Sequence, residues 1–358
     1  MIPIVKYLGP GTMSRRAATC AVVALLALPG PGDPAPFQKS SAEGAFATWL
    51  ETKAPGAFEP GARAEIRGLR VAYRLDAQFY LPLWVTSLPL SSRQDVGVTS
   101  ASYRDTLSES GDVVRGFEFF TALVPERLNG IYRMGLMREA VNLGPQGPRW
   151  TAYFGMMTAA PEQSLDQASA TASDPSAIRH QVTDGFASPT ESRANRFDVP
   201  LKARGTSALA IYTASRPNLG TLPPRPLRSL EGSTPQPLPV VAFLGALQVS
   251  LQQAAAGGRT PVVPFIHNAT LRYLEITGQK VDAGTGRKFV ASGFVKDPSR
   301  VFRIDFKITY PGKGDSPFRL WAELPPEGSG RADALPIAPI MFEVSPRSFV
   351  RLHFERTR

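Results

Sequence analysis

From Gly68 onward the chain alternates: Leu69, Val71, Tyr73 and Leu75 take turns with Arg70, Ala72 and Arg74. A period of two is the mark of a strand with one face in a core and one in water. The same pattern predicts strands over 79–86, 96–103, 113–123 and 150–157. "RLNGIYRMGLMREAV" (127–141) fits two readings, a hairpin turning at Asn129-Gly130 or a helix lined by Leu128, Ile131, Met134 and Met137. The last hundred residues alternate most regularly. Phe302, Ile304, Phe306, Ile308 and Tyr310 form one such series, Phe318, Leu320 and Leu324 another, and Val350, Leu352 and Phe354 a third. Arginine, lysine, aspartate, glutamate, Trp321 and His353 fill the intervening positions. Turns at "DAGTGRK", "VKDPSR", "YPGKGDSP" and "PPEGSGRAD" make this an antiparallel meander with one buried face.

Helical spacing replaces alternation in "VVAFLGALQVSLQQAAAGG". There Val240, Phe243, Leu244, Leu247, Leu251 and Ala254 line one face and Gly257-Gly258 close the segment. A helix laid on a sheet is expected. Two shorter helices are expected at 161–173, behind Pro161, and at 207–215. Seven prolines between Pro217 and Pro239 mark the strongest boundary in the chain. The expected organisation is a leader over 1–32, a linker over 33–62, a β-rich region with inserted helices over 63–216, a proline-rich linker over 217–239, and a helix plus meander over 240–358. The fold class is mainly β, of α+β type: a curved antiparallel sheet or half-barrel packed on one or two helices.

The leader sets the expected compartment. Arg15 and Arg16 precede an apolar run of about 12 residues, Ala17 to Leu28, far short of the ~20 that cross a bilayer as a helix. Basic residues, a short apolar run and a small-residue site form a secretory signal. Gly30 and Gly32 supply the small residues, so cleavage is expected between Gly32 and Asp33, with Met13 a plausible start. The residues after the arginine pair favour general secretion over the twin-arginine route. A lipid anchor is disfavoured, because Cys20 opens the apolar run instead of closing it. A periplasmic or secreted protein with no transmembrane span in its mature chain is expected.

Composition narrows the chemistry. Cys20 is the chain's one cysteine, so a cleaved chain has no disulfide, thiolate metal site or cysteine nucleophile. The formal net charge is +10. Three of those cations, Lys6, Arg15 and Arg16, sit in the leader and the others are scattered, so no nucleic-acid partner is inferred. His180, His267 and His353 share no metal-ligand spacing, and His267 is placed where a strand begins. The serine-hydrolase elbow, the phosphate loop, H-E-x-x-H and the calcium loop are all missing. "GTGRK" (284–288) has the wrong spacing for a phosphate loop and is placed in a hairpin turn. No catalytic residue, cofactor or metal is assigned. Trp84, Phe119, Phe120 and Tyr132 either line an apolar pocket at the mouth of a curled sheet or belong to its core.

The order of helix "PVVAFLGALQVSL", strand "NATLRYLEITG", hairpins "FVKDPSRVFRIDFKITY" and "FRLWAEL", and final "LPIAPIMFEVSPRSFVRLHFE" resembles an uncharacterised family of exported β-rich bacterial proteins, of the domain of unknown function 3108 type. That family is similar in pattern to the half-barrel lipoprotein carriers of the envelope. The resemblance covers 239–356 and, more loosely, 63–125. It departs at Ala269, where a glycine is expected, and over 158–238, which reads as an insertion. It brings no catalytic residues. The expected function is non-enzymatic binding or maintenance in the envelope, with an apolar or amphipathic ligand and a lipid, glycan or envelope protein as partner. The alternatives are a hydrolase acting on envelope polysaccharide or lipid, and a scaffold of an envelope complex.

Overall fold

The computed structural model describes residues 65–82, 87–107, 111–123, 127, 134–144, 147–158, 179–190, 192–200, 241–257, 262–267, 270–309, 315–326, 336–347 and 350–357. The leader with Gly32 and Asp33, the helices expected at 161–173 and 207–215, the proline-rich linker, Trp84 and Tyr132 lie outside the described residues.

Among the described residues the first seven strands are β1 (Glu65–Pro82), β2 (Ser87–Leu107), β3 (Val113–Leu123), β4 (Met134–Gly144), β5 (Gly147–Thr158), β6 (Arg179–Ala187) and β7 (Ser192–Pro200). Helix α1 (Phe243–Ala255) follows, then β8 (Val263–His267), β9 (Thr270–Val281), helix α2 (Ala283–Val290) and a 3-10 turn, Pro298–Arg300. The chain ends with β10 (Val301–Thr309), β11 (Ser316–Glu323), β12 (Met341–Arg347) and β13 (Val350–Thr357). The thirteen strands form one sheet in the order β7-β6-β5-β4-β3-β2-β1-β13-β12-β11-β10-β9-β8. Each half is a meander of neighbours, and the halves are stitched where β1 runs antiparallel to β13, from Ala72 opposite Thr357 to Phe79 opposite Val350. The two β-rich regions therefore share a single sheet.

The sheet curls round α1. Phe243 and Leu244 of the helix pack into the core built by β1–β4, β12 and β13, while Ala246, Leu251, Ala254 and Ala255 pack into the core built by β8–β11. The far ends of the sheet approach each other, since Tyr153 (β5), Ala187 (β6), Ala242 and Ile266 (β8) form one buried cluster. Instead of a strand pairing with β8 at this seam, Ile266 donates its N–H to the carbonyl of Val241, 3.0 Å away, in the lead-in to α1. A curved antiparallel sheet packed on helices, the expected fold class, is what the chain forms.

Three local expectations change, and two strands stand where none was read. The strands read at 69–75 and 79–86 are one, β1, because Ala77 continues the buried series Val71, Tyr73, Leu75 but is too small to stand out between Asp76 and Gln78. In the 127–141 segment, residues 134–141 are strand, the first part of β4. β6 and β7 occupy 179–200, where the sequence "RHQVTDGFA" carries few apolar residues at period two. Gly185 is required in β6: a Cβ there would lie 2.3 Å from the Tyr153 ring. Finally, "DAGTGRK" is no hairpin turn but the start of α2. Asp282 caps it, accepting from the Thr285 N–H at 3.0 Å and the Thr285 hydroxyl at 2.9 Å. The helix covers the outer face of the sheet and buries Trp321, whose indole N–H donates to Asp282 at 2.9 Å, in a cluster with Phe289, Val295 and Ile340.

Candidate functional site

Helix α1 starts without a cap of its own, for Ala242 precedes it and makes no side-chain cap bond. The missing acceptor comes from across the interior. Glu139 of β4 takes the N–H of Leu244 at 2.6 Å and of Gly245 at 2.8 Å, so a carboxylate meets the positive end of the helix. Glu139 is 3% exposed. Burial pushes its carboxyl up and the two N–H bonds pull it back only in part, leaving its pKa at about 7. One turn later Gln248 donates to the carbonyl of Ile337 at 2.9 Å and accepts the Ile337 N–H at 2.8 Å. Together with the Val241–Ile266 bond, these contacts fix the helix in the lumen at three points.

Among the described residues two cavities flank it. The first, about 70 Å³, lies between Phe243, Leu244 and Leu247 of the helix and a wall that includes Tyr73, Phe119 and Phe342. It holds little more than a few methylene groups. The second, about 480 Å³, opens on the Gly245, Val249 and Gln252 side of α1, against Val113 and Phe117 of β3 and Val141 and Leu143 of β4. That volume is within the ~300–1,000 Å³ of ordinary small-molecule sites. Size rather than enclosure therefore makes the second cavity the candidate site.

A charged row forms one end of its wall. Register places Arg67 (β1) opposite Asp105 (β2) and Asp105 opposite Arg115 (β3). Arg115 grips Asp105 with two bonds, Nε to Oδ1 at 2.9 Å and Nη2 to Oδ2 at 3.0 Å, and the Arg67 Nε reaches Oδ2 at 2.7 Å. Burial opposes the charge on Asp105, but the hydrogen bonds and positive charges of Arg115 and Arg67 outweigh it and hold the carboxyl below its ordinary range. Side-chain exposure is 3% for Asp105, 7% for Arg115 and 33% for Arg67. The Arg67 side chain is thus the exposed end of the row.

Of the residues singled out in the sequence, Phe119 lines the small cavity and Phe120, next on the strand, points to the opposite face and is buried there. His267 closes β8 instead of opening a strand, and burial together with the charge of Arg272 holds its imidazole well below its usual pKa. His353 lies on the outer face, with Nδ1 3.3 Å from Glu343 and Nε2 3.7 Å from Glu355. Burial works against its charge, but Glu343, Glu355 and Asp76 prevail and raise its pKa. His180 falls in β6. Among the described residues no group of three or more His, Cys, Asp or Glu side chains is placed to hold a metal ion, and no helix is long and apolar enough to cross a membrane.

Sequence reasoning missed Arg67, Asp105, Arg115 and Glu139, although a signal existed. In "VVRGFEFF" Arg115 shares its phase with Phe117 and Phe119, and in "MREAV" Glu139 shares its phase with Met137 and Val141. A charge at a core-facing position of an otherwise apolar series has to be paired inside.

No protein-family model matches this chain, and no curated protein matches it. Among solved structures, the chain is similar to the crystal structure of a beta-barrel-like protein of domain of unknown function DUF1849 from Brucella abortus. The two are 9% identical, with a TM-score of 0.39, and the match covers 83% of this chain and 98% of that one. A likeness at this level carries no conclusion about this chain, and with no family model matching, the 3108 type stays an expectation of the sequence.

Proposed function

We propose that this protein is an exported, non-enzymatic binding protein that holds a small apolar or amphipathic molecule between α1 and the wall formed by β3 and β4. The observation that carries this reading is the 480 Å³ cleft, lined by Val113, Phe117, Val141, Leu143 and Val249 and reached by two arginines. Among the described residues the polar side chains on its lining are Arg67, Arg115, Gln248 and Gln252, none of them a nucleophile or an ordinary general acid or base. Gln248 is already committed to the backbone of Ile337. Such a wall favours retention over bond cleavage. Export rests on the leader pattern, and a mature N-terminus at Asp33 by peptide mapping is the expected result.

The binding reading is tested by filling the cleft. Val249→Trp places an indole in the cavity from the helix side. Fluorescence titration with an environment-sensitive apolar dye is expected to saturate at one dye per chain for the wild type and to weaken at least about tenfold for the variant, or ~1.4 kcal/mol. Undiminished dye binding by a folded Val249→Trp protein would remove the cleft from consideration.

A further inference from the structure

We infer that the molecule held in this cleft carries a carboxylate head, which docks on the outer edge of Arg67 while its chain lies along the apolar wall. The inference rests on the binding reading above and adds the chemical class of the ligand.

Three observations lead to it. First, the Arg67 guanidinium spends one nitrogen, Nε, on Asp105, and its two terminal nitrogens have no partner among the described residues. Those nitrogens form the planar fork that matches a carboxylate with two parallel hydrogen bonds. Second, Asp105 cannot supply that carboxylate itself. Its oxygens already serve Nε and Nη2 of Arg115 and Nε of Arg67, and it is almost wholly buried. Third, the open edge belongs to a residue on the lining of the cleft, alongside Val113, Leu143 and Val249 of the apolar wall. A cation with an unused fork beside an apolar cavity is complementary to an amphiphile with an anionic head. A single open guanidinium edge balances a single negative charge, which points to a carboxylate in preference to a doubly charged head.

The Asp105 pairing also preorganises the site. With Nε tied at 2.7 Å, the long Arg67 side chain is held in one direction before a ligand arrives, so less freedom is lost on binding.

The test compares heads on one chain length. Purified protein is titrated with dodecanoate, dodecan-1-ol and dodecyltrimethylammonium by displacement of the apolar dye, the two ionic compounds below their micelle concentrations and the alcohol below its solubility. Dodecanoate is expected to bind at least about tenfold more tightly than dodecan-1-ol, and the ammonium more weakly than either. In Arg67→Gln the dodecanoate affinity is expected to fall to the dodecan-1-ol level, while dodecan-1-ol itself is unchanged. Raising the salt is expected to weaken dodecanoate alone. Equal binding of dodecanoate and dodecan-1-ol by the wild type would overturn the carboxylate inference and leave the binding reading standing. Failure of all three to displace the dye would overturn both. The wild-type comparison needs no variant, so an Arg67→Gln protein that fails to fold does not shelter the inference.

Discussion

Glu139 ties the pH dependence of stability to the seating of α1, and Glu139→Gln isolates it. The carboxyl titrates at about 7 in the folded protein against an ordinary value of 4.5. Between those values the unfolded chain has released this proton and the folded chain still holds it, so folding takes up a proton and stability falls as pH rises. The contribution is fully present below about 4.5 and is lost as pH passes through about 7. At 1.36 kcal/mol per pH unit the loss is roughly 3 kcal/mol. Glutamine keeps one acceptor for the N–H groups of Leu244 and Gly245 but does not titrate. Its amide turns a donor toward the second N–H, a cost of about 1 kcal/mol that is the same at every pH. Urea unfolding of both proteins from pH 4.5 to 7.5 gives the difference directly, and groups common to both, such as His353, cancel. The variant is expected to gain about 3 kcal/mol on the wild type across this interval. A difference that stays flat within about 0.5 kcal/mol would show that Glu139 is solvated or otherwise paired, and that it does not cap α1 from a dry interior.

Other consequences follow from the same contacts. Asp105→Asn leaves the guanidiniums of Arg67 and Arg115 without their shared anion, and a loss of about 3–5 kcal/mol is expected in chemical denaturation. Gly97→Ala would place a Cβ 2.5 Å from the Ala122 carbonyl oxygen and 2.8 Å from Leu75 Cδ2, so a loss of about 1–3 kcal/mol is expected in thermal unfolding. Leu251→Ala, at a fully buried position of α1, is expected to cost about 2–5 kcal/mol by urea titration. His353 titrates above 6.5, so its contribution to stability is present below that value and is lost as pH rises through the folded pKa. An NMR titration is expected to show this raised pKa and its fall on Glu343→Gln.

How much of this was legible in the sequence depended on how many constraints each segment satisfied. Strands β10, β11 and β13 and helix α1 were plain, because one face of each is apolar and the periodicity is unbroken. The first helical turn of α2 was not, since "DAGTGRK" carries two glycines and reads as a turn until Asp282 and Thr285 are seen to cap it and Trp321 to need a cover. β6 and β7 were hidden for the opposite reason: at the margin of the sheet their sequence shows little alternation. The site was legible only as an anomaly. Arg115 and Glu139 interrupt apolar series, but their partners Asp105 and Leu244 lie 10 and 105 residues away, and only the register of the sheet brings them together.

The seam between β1 and β13 has a kinetic meaning as well. Read around the sheet from β8, the order is β8 to β13 and then β1 to β7, which is a plain up-and-down ribbon whose numbering has been rotated. Eleven of its twelve joints link strands adjacent in the chain, and the remaining one spans nearly the whole of it, from Ala72 to Thr357. Closing that joint carries a large loop entropy, so it is expected to limit the folding rate while contributing little to the strain of the finished sheet. A circular permutant opened between β7 and β8, with Thr357 joined to Glu65 by a linker of about ten residues, long enough to run back along the part of β1 that extends beyond Ala72, would turn this long-range joint into a local one. It is expected to fold faster to the same sheet.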